Sequence, residues 1–245
     1  MPSNIFLKEE ISVFFPILDW TILLLVPAIL LSLYAQMKVQ STFSRYSQVF
    51  SSRGLTGAVV AREILRQSRI YDVRVEPVAG TLSDHYDPRA KALRLSEPVY
   101  GSSSLAAIGV AAHEAGHAIQ HDVGYVPLGI RSAIVPIATF GSNLAMPLLI
   151  IGLIFGSPML AQTGVLAFSA VVLFQLITLP VEFNASNRAI EVLVDGGYIT
   201  REEVGPTRAV LNAAALTYVA AALMGILNLI RLLILSGMFG NRDDN

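Results

Sequence analysis

A five-residue run, His113-Glu114-Ala115-Gly116-His117, carries the residues most suited to chemistry. Residues four apart lie on one face of a helix, so both imidazoles can point at a single ion. Glu114 projects to the side, where it can take a proton from a water activated by that ion. This is the His-Glu-x-x-His pattern of metal-dependent hydrolysis. An apolar, uncharged approach from Leu105 to Ala112 leads into it, and Ala118 and Ile119 continue it. Two histidines and a glutamate in such a frame are costly unless something pairs with them. The plain alternative is a helix with two satisfied core histidines.

The elements that must position this run are mostly apolar. Hydrophobic residues make up 53% of the 245 and charged residues 14%, with a net charge of −1. A soluble domain carries about 25% charged residues, so much of this chain is not built for water, and nothing draws it to nucleic acid. With no cysteine in the chain, a metal site must use nitrogen and oxygen ligands. Four stretches reach the roughly 20 apolar residues that a bilayer crossing takes. They run over about 17–37, 134–155, 159–181 and 213–235. The first reads as an uncleaved signal anchor, because its core is long and acidic residues precede it. Arg231, near the end of the fourth, is expected to snorkel to the interface.

Basic residues are unevenly spread. Residues 38–131 hold eleven of the 17 Lys and Arg, and residues 182–212 hold Arg188, Arg201 and Arg208. Lys8, beside Glu9 and Glu10, is the one basic residue before the first span. The positive-inside rule then puts 38–131 and 182–212 in the cytoplasm, with the N-terminus and the tail carrying Asp243 and Asp244 outside. The expected organisation is therefore 1–37 (N-terminal segment and first span), 38–131 (catalytic part), 132–181 (a two-span hairpin), 182–212 (a second cytoplasmic segment) and 213–245 (last span and tail).

Within 38–131, the stretch from Arg45 to Arg69 reads as an amphipathic helix with Val59, Val60, Ile64 and Leu65 on one side. Alternation over Tyr71–Val78 places Val73, Val75 and Pro77 on one phase and predicts a strand. Ala92-Leu93-Arg94-Leu95 predicts a second, so the unit reads as a hairpin, with Asp84 to Pro88 as turn chemistry. Ser102 to Ser104 can cap a helix running to about His121. The strand Ala92–Ser96 could add a substrate strand to its edge.

A catalytic zinc takes three protein ligands and leaves one position open. His121 lies four residues past His117, but each such step drifts about 40° around a helix, so three successive histidines converge poorly. Asp122 is weaker still. Glu182 is the better candidate. Two crossings separate it from His117, so both lie on one side of the membrane, and an acid at a span end is functional by default. Its alternative is an interfacial Glu paired with Arg188 or lipid head groups.

The combination of Asp84-His85-Tyr86-Asp87-Pro88, Leu95-Ser96, His113-Glu114-Ala115-Gly116-His117-Ala118 and Glu182-Phe183-Asn184-Ala185-Ser186-Asn187-Arg188-Ala189 resembles the YugP-type family of membrane zinc metallopeptidases. That family is more distantly similar to the gluzincins, including HtpX-type membrane peptidases, where a downstream Glu-x-x-Ala-Asp supplies the third ligand. The resemblance implies that Glu182 holds the metal here. Ser186 stands where the gluzincin Asp orients a ligand histidine, which implies a weaker bond at that place.

These readings converge on a mainly α, multi-pass membrane protein with about four transmembrane helices and a small α+β zincin-like catalytic part. The expected activity is a zinc metalloendopeptidase acting on peptides or proteins, membrane-associated ones included, at the cytoplasmic membrane face. His113, His117 and Glu182 would hold one Zn2+ per chain, with Glu114 as general base. Arg188 is the favoured oxyanion donor, ahead of His85, Tyr86 and Tyr125. The rival is a non-catalytic membrane protein with a structural or sensory zinc site. A weaker rival, a transporter, rests on Asn143, Gln175 and Asn228, which are expected to bond across helices.

Overall fold

The structure, a computed structural model, describes residues 20–238. The start of the first apolar stretch and both terminal tails, with Lys8, Glu9, Glu10, Asp243 and Asp244, lie outside the described residues. The fold is mainly α. A 3-10 turn over Trp20–Leu25 leads into α1 (Val26–Tyr46), and α2 spans Gly57–Gln67. Three short strands follow, β1 (Arg74–Val78), β2 (His85–Asp87) and β3 (Ala92–Ser96). Then come α3 (Glu97–Tyr100), α4 (Leu105–Asp122), α5 (Val126–Ile154), α6 (Pro158–Asp195) and α7 (Arg201–Leu235). Among the described residues, the helix over Trp20–Tyr46, with α5, α6 and α7, makes four helices long and apolar enough to cross a membrane. No break falls at Val181–Glu182. At 1.5 Å per residue α6 is about 57 Å long, well beyond the roughly 30 Å of hydrocarbon.

The chain divides into two compact units. One contains the described parts of Met1–Ser32, Ala133–Leu176 and Ala220–Asn245. Its core gathers Leu149, Ala161, Val165 and Leu232. A Cβ on Gly141 would stand 2.5 Å from the Ala167 carbonyl oxygen, so glycine is what lets α5 and α6 approach. This is the small-residue packing of membrane helices, where van der Waals contact replaces hydrophobic drive. Thr139 and Thr163 return their hydroxyls to carbonyls four residues back, so these two donors are satisfied within their own helices. Two expectations change here. Arg231 does not snorkel: it is 5% exposed, and its Nε donates to Thr21 Oγ1 at 3.2 Å, because a charge turned into apolar surroundings needs a polar partner. Gln175 makes no cross-helix bond through its Oε1, which is buried without a partner against Gly225, a residue that brings no donor side chain.

The second unit contains Leu33–Ser132 and Ile177–Val219. Thr56 caps α2, and the buried stripe is Ala58, Val60, Ala61, Ile64 and Leu65. Val59, at 37% exposed, lies off that stripe, because helical residues advance about 100° each. The expected hairpin is not formed. β1 runs parallel to β3, and β2 runs antiparallel to β3, giving the order β1-β3-β2. The chain reverses one step later than the Asp84–Pro88 signal suggests. Asp87 Oδ1 accepts from the backbone N–H groups of Arg89 and Ala90, and Lys91 takes φ 47°, so the tight turn joins β2 to β3. Pro77 is exposed on β1, an edge strand that tolerates its missing N–H. Substrate cannot add to β3, because β1 and β2 occupy its two sides.

The sheet and α2 form a cradle for α4. Ser104 caps that helix, its Oγ accepting from the Ala107 N–H at 3.2 Å. Leu105, Ile108, Leu93, Leu95, Ile64 and Leu193 are fully or almost fully buried around it. Each such side chain contributes about 1.5–3 kcal/mol of burial, which fixes the rotation of α4 and so the direction of its histidines. The helix stops at Gly124, whose φ of 63° only glycine adopts at little cost.

Candidate metal centre

His113 and His117 stand one turn apart on α4, their rings edge to face with centroids 4.7 Å apart. Between them lies Gly116. A Cβ there would sit 2.7 Å from the Ala185 carbonyl oxygen, so α6 meets α4 backbone to backbone. That approach brings in Glu182, one turn before Ser186 on the same face of α6. Its Oε2 stands 3.3 Å from His113 Nε2 and 3.5 Å from His117 Nε2. Donor atoms about 2.0–2.1 Å from a tetrahedral zinc are themselves about 3.4 Å apart. Among the described residues these three side chains make a group that could hold a metal ion.

The donor set also fits a cation electrostatically. Glu182 is 2% exposed, and its Oε2 is buried without a hydrogen-bond partner. A buried carboxylate oxygen left so costs on the order of 1–3 kcal/mol. Its other oxygen, Oε1, faces Arg131 at 3.4 Å. Burial opposes a charge on His117, yet the neighbouring Glu182 carboxylate and the charge of Glu114 outweigh it and hold the imidazole above its ordinary pKa.

The outer atoms of both imidazoles are engaged. Ser186 Oγ lies 3.2 Å from His113 Nδ1, at the position where the resemblance implies an orienting group. Gln120 Oε1 lies 3.0 Å from His117 Nδ1. Such partners set ring orientation and ligand basicity.

Comparison with known proteins gives the family. Residues 21–237 match the family described as "Putative neutral zinc metallopeptidase". The chain belongs to that family. It is also 50% identical, over 224 residues, to the "Putative membrane protease YugP" of Bacillus subtilis (strain 168), covering 91% of this chain and 99% of that protein. No solved structure matches it. The resemblance seen in the motifs is thereby borne out at the level of the family.

Among the residues singled out in this zinc metallopeptidase family member, the structure brings His113, His117 and Glu182 together, with Glu114 8% exposed beside them on α4. His121 is elsewhere. Its Nδ1 meets the Tyr86 hydroxyl at 2.8 Å, and both line a cavity of about 220 Å³ with Asp72, Lys91 and Asp122. Burial, together with the charges of Asp72, Asp87 and Asp122, pushes the Tyr86 hydroxyl up to about 12, so it keeps its proton and can donate. His85 Nδ1 faces the Ser83 carbonyl. Asp84 accepts from Ser96 N and Oγ, and Asp87 pairs with Arg94, so both acids serve the turn and sheet. Arg188 makes its hydrogen bond, among the described residues, from Nε to Asn184 Oδ1 at 2.8 Å.

Three residues escaped sequence reasoning. Gln120 bonds His117, Arg131 pairs with Glu182, and Tyr218 stands beside the Glu182 carboxylate. Arg131 carried a signal, since it is the last charge before a long apolar stretch. Tyr218 carried none, being one aromatic in an apolar helix.

Proposed function

We propose that this protein is a zinc-dependent endopeptidase that cleaves membrane-associated peptides or proteins at the cytoplasmic face. His113, His117 and Glu182 hold one Zn2+, and Glu114 is the general base. The observation that carries this reading is the convergence of three nitrogen and oxygen donors around a buried carboxylate oxygen with no partner. Bound there, zinc supplies Lewis acidity, polarising the scissile carbonyl and acidifying water.

The chain's own residues do the rest. Glu114 takes a proton from the attacking water and returns it to the leaving amine. Arg131 faces the Glu182 oxygen turned away from the histidines and steadies the carboxylate. Two donors compete for the oxyanion, Arg188 from the sequence reading and Tyr218 from its place beside Glu182. The family match and the relative's name, "Putative membrane protease YugP", support a peptide or protein substrate. The charge distribution supports the cytoplasmic placement.

One panel of variants tests the chemistry. Glu114→Gln should abolish cleavage of a model peptide while zinc stays near one per chain. Loss of zinc together with activity would instead make Glu114 structural. In the same assay, Tyr218→Phe and Arg188→Met identify the oxyanion donor as the one whose loss lowers kcat with zinc retained. Orientation is tested by cysteines at Ser96, Thr207 and Ser157. The first two should react in intact cells only with membrane-permeant reagents, and the third with impermeant ones. Impermeant labelling at Ser96 and Thr207 would overturn the cytoplasmic site.

A further inference from the structure

The two ligand histidines are held by partners of different chemistry. A hydroxyl such as Ser186 Oγ can donate or accept, so it leaves the tautomer of His113 open. The partner of His117 is a carboxamide whose two ends are not interchangeable. Gln120 is fully buried. Its Nε2 lies 2.8 Å from the Val181 carbonyl oxygen and 2.9 Å from Asn184 Oδ1. A backbone carbonyl only accepts, so the end of Gln120 facing it must be the donating NH2. Asn184 is oriented in the same way, because Arg188 Nε lies 2.8 Å from its Oδ1 and a guanidinium only donates. Both anchors, Val181 and Arg188, are on α6, as is Glu182.

We infer that Gln120 is a positioning residue that fixes the tautomer of His117, turning its Nε2 lone pair toward Glu182. With its NH2 spoken for on α6, Gln120 presents only Oε1 to His117 Nδ1. That oxygen needs a proton from Nδ1, so the single proton of a neutral His117 sits there and Nε2 is bare. In that neutral tautomer Nε2 faces Glu182 Oε2, 3.5 Å away, as one acceptor to another. Such a pair repels until a cation enters. Because Gln120 takes its own orientation from the turn of α6 next to Glu182, the tautomer and the third donor are set by one helix contact. The inference rests on the ligand set proposed above.

The test uses the full-length protein, labelled with 15N-histidine, in detergent micelles. In the zinc-free wild type at a pH where His117 is neutral, its proton should be on Nδ1. After zinc is added, Nδ1 should keep its proton while Nε2 shifts. Gln120→Met, close in volume but without polar ends, should bind zinc roughly 10–100-fold more weakly in competition with a chelator. Its neutral His117 should become a mixture of tautomers. Asn184→Leu leaves the Val181 anchor in place and should weaken zinc only a few-fold. A wild-type His117 carrying its proton on Nε2 would overturn the inference, and so would unchanged affinity and tautomer in Gln120→Met. Should that variant fail to fold, the wild-type tautomer decides by itself. A wild type that binds no zinc overturns the ligand set instead, and the zinc-free tautomer still judges Gln120 separately.

Discussion

Glycine is used twice to bring helices together, with different consequences. At Gly116, α4 approaches the Ala185 carbonyl of α6, where an added Cβ would be 2.7 Å away. At Gly141, α5 approaches the Ala167 carbonyl, where it would be 2.5 Å away. The two distances are nearly the same. Around Gly116 the flanking turns carry His113, His117, Gln120, Glu182 and Ser186. The unit around Gly141 has a core of Leu149, Ala161, Val165 and Leu232. Close approach is thus neutral to chemistry, and the side chains one turn away decide what it serves. Near Gly141 it yields packing. Near Gly116 it gathers three side chains that could hold a metal ion.

The largest effect in this comparison should come from emptying the donor cluster. Glu182→Ala leaves two protein ligands, so the purified chain, dialysed against a weak chelator, should lose its zinc and its activity together. His121→Ala, one turn beyond His117 but bonded to Tyr86, should keep both. Zinc retained in the first and lost in the second would break the assignment of Glu182.

A smaller effect should separate the two glycines. Gly116→Ala and Gly141→Ala each force a methyl against backbone, and overpacking of this kind costs about 1–3 kcal/mol. Thermal unfolding should register both. Only Gly116→Ala should also weaken zinc, because it moves α6 and with it Glu182. Equal zinc affinity in the two variants would mean that the donors do not depend on this approach.

The smallest effect is expected at Ser186. Its hydroxyl is neutral and 3.2 Å from His113 Nδ1, so Ser186→Ala should cost zinc affinity less than Gln120→Met does. Ser186→Asp, which installs the carboxylate that gluzincins carry at this place, should restore or raise it. Chelator competition measures all three. A larger loss at Ser186 than at Gln120 would reverse the ranking of the two outer partners.

Local signals in the sequence were strong where one element decides the outcome. Ser104 and the apolar run after it predict α4, since capping and helical periodicity act within a few turns, and the structure begins that helix at Leu105. The four long helices were legible because spanning length is a property of composition alone. The strands were legible individually, but their pairing was not. Alternation states which residues share a face of a strand and says nothing about which strand lies beside it, so the parallel β1–β3 pair came from the tertiary structure.

The same division runs through the candidate site. The sequence by itself determined that His113 and His117 share a face and that Glu114 lies beside them, because 3.6 residues per turn leaves no other arrangement on a helix. It made Glu182 a candidate through span counting. The meeting of α4 with α6 was decided by tertiary structure: Gly116 against Ala185, Gln120 against Val181 and Asn184, Ser186 against His113, Arg131 against Glu182. These contacts join residues 51 to 73 apart in the chain. No periodicity links positions so distant. Which polar atoms face each other across two helices is set by their crossing and rotation, and those are fixed only when the whole buried surface closes.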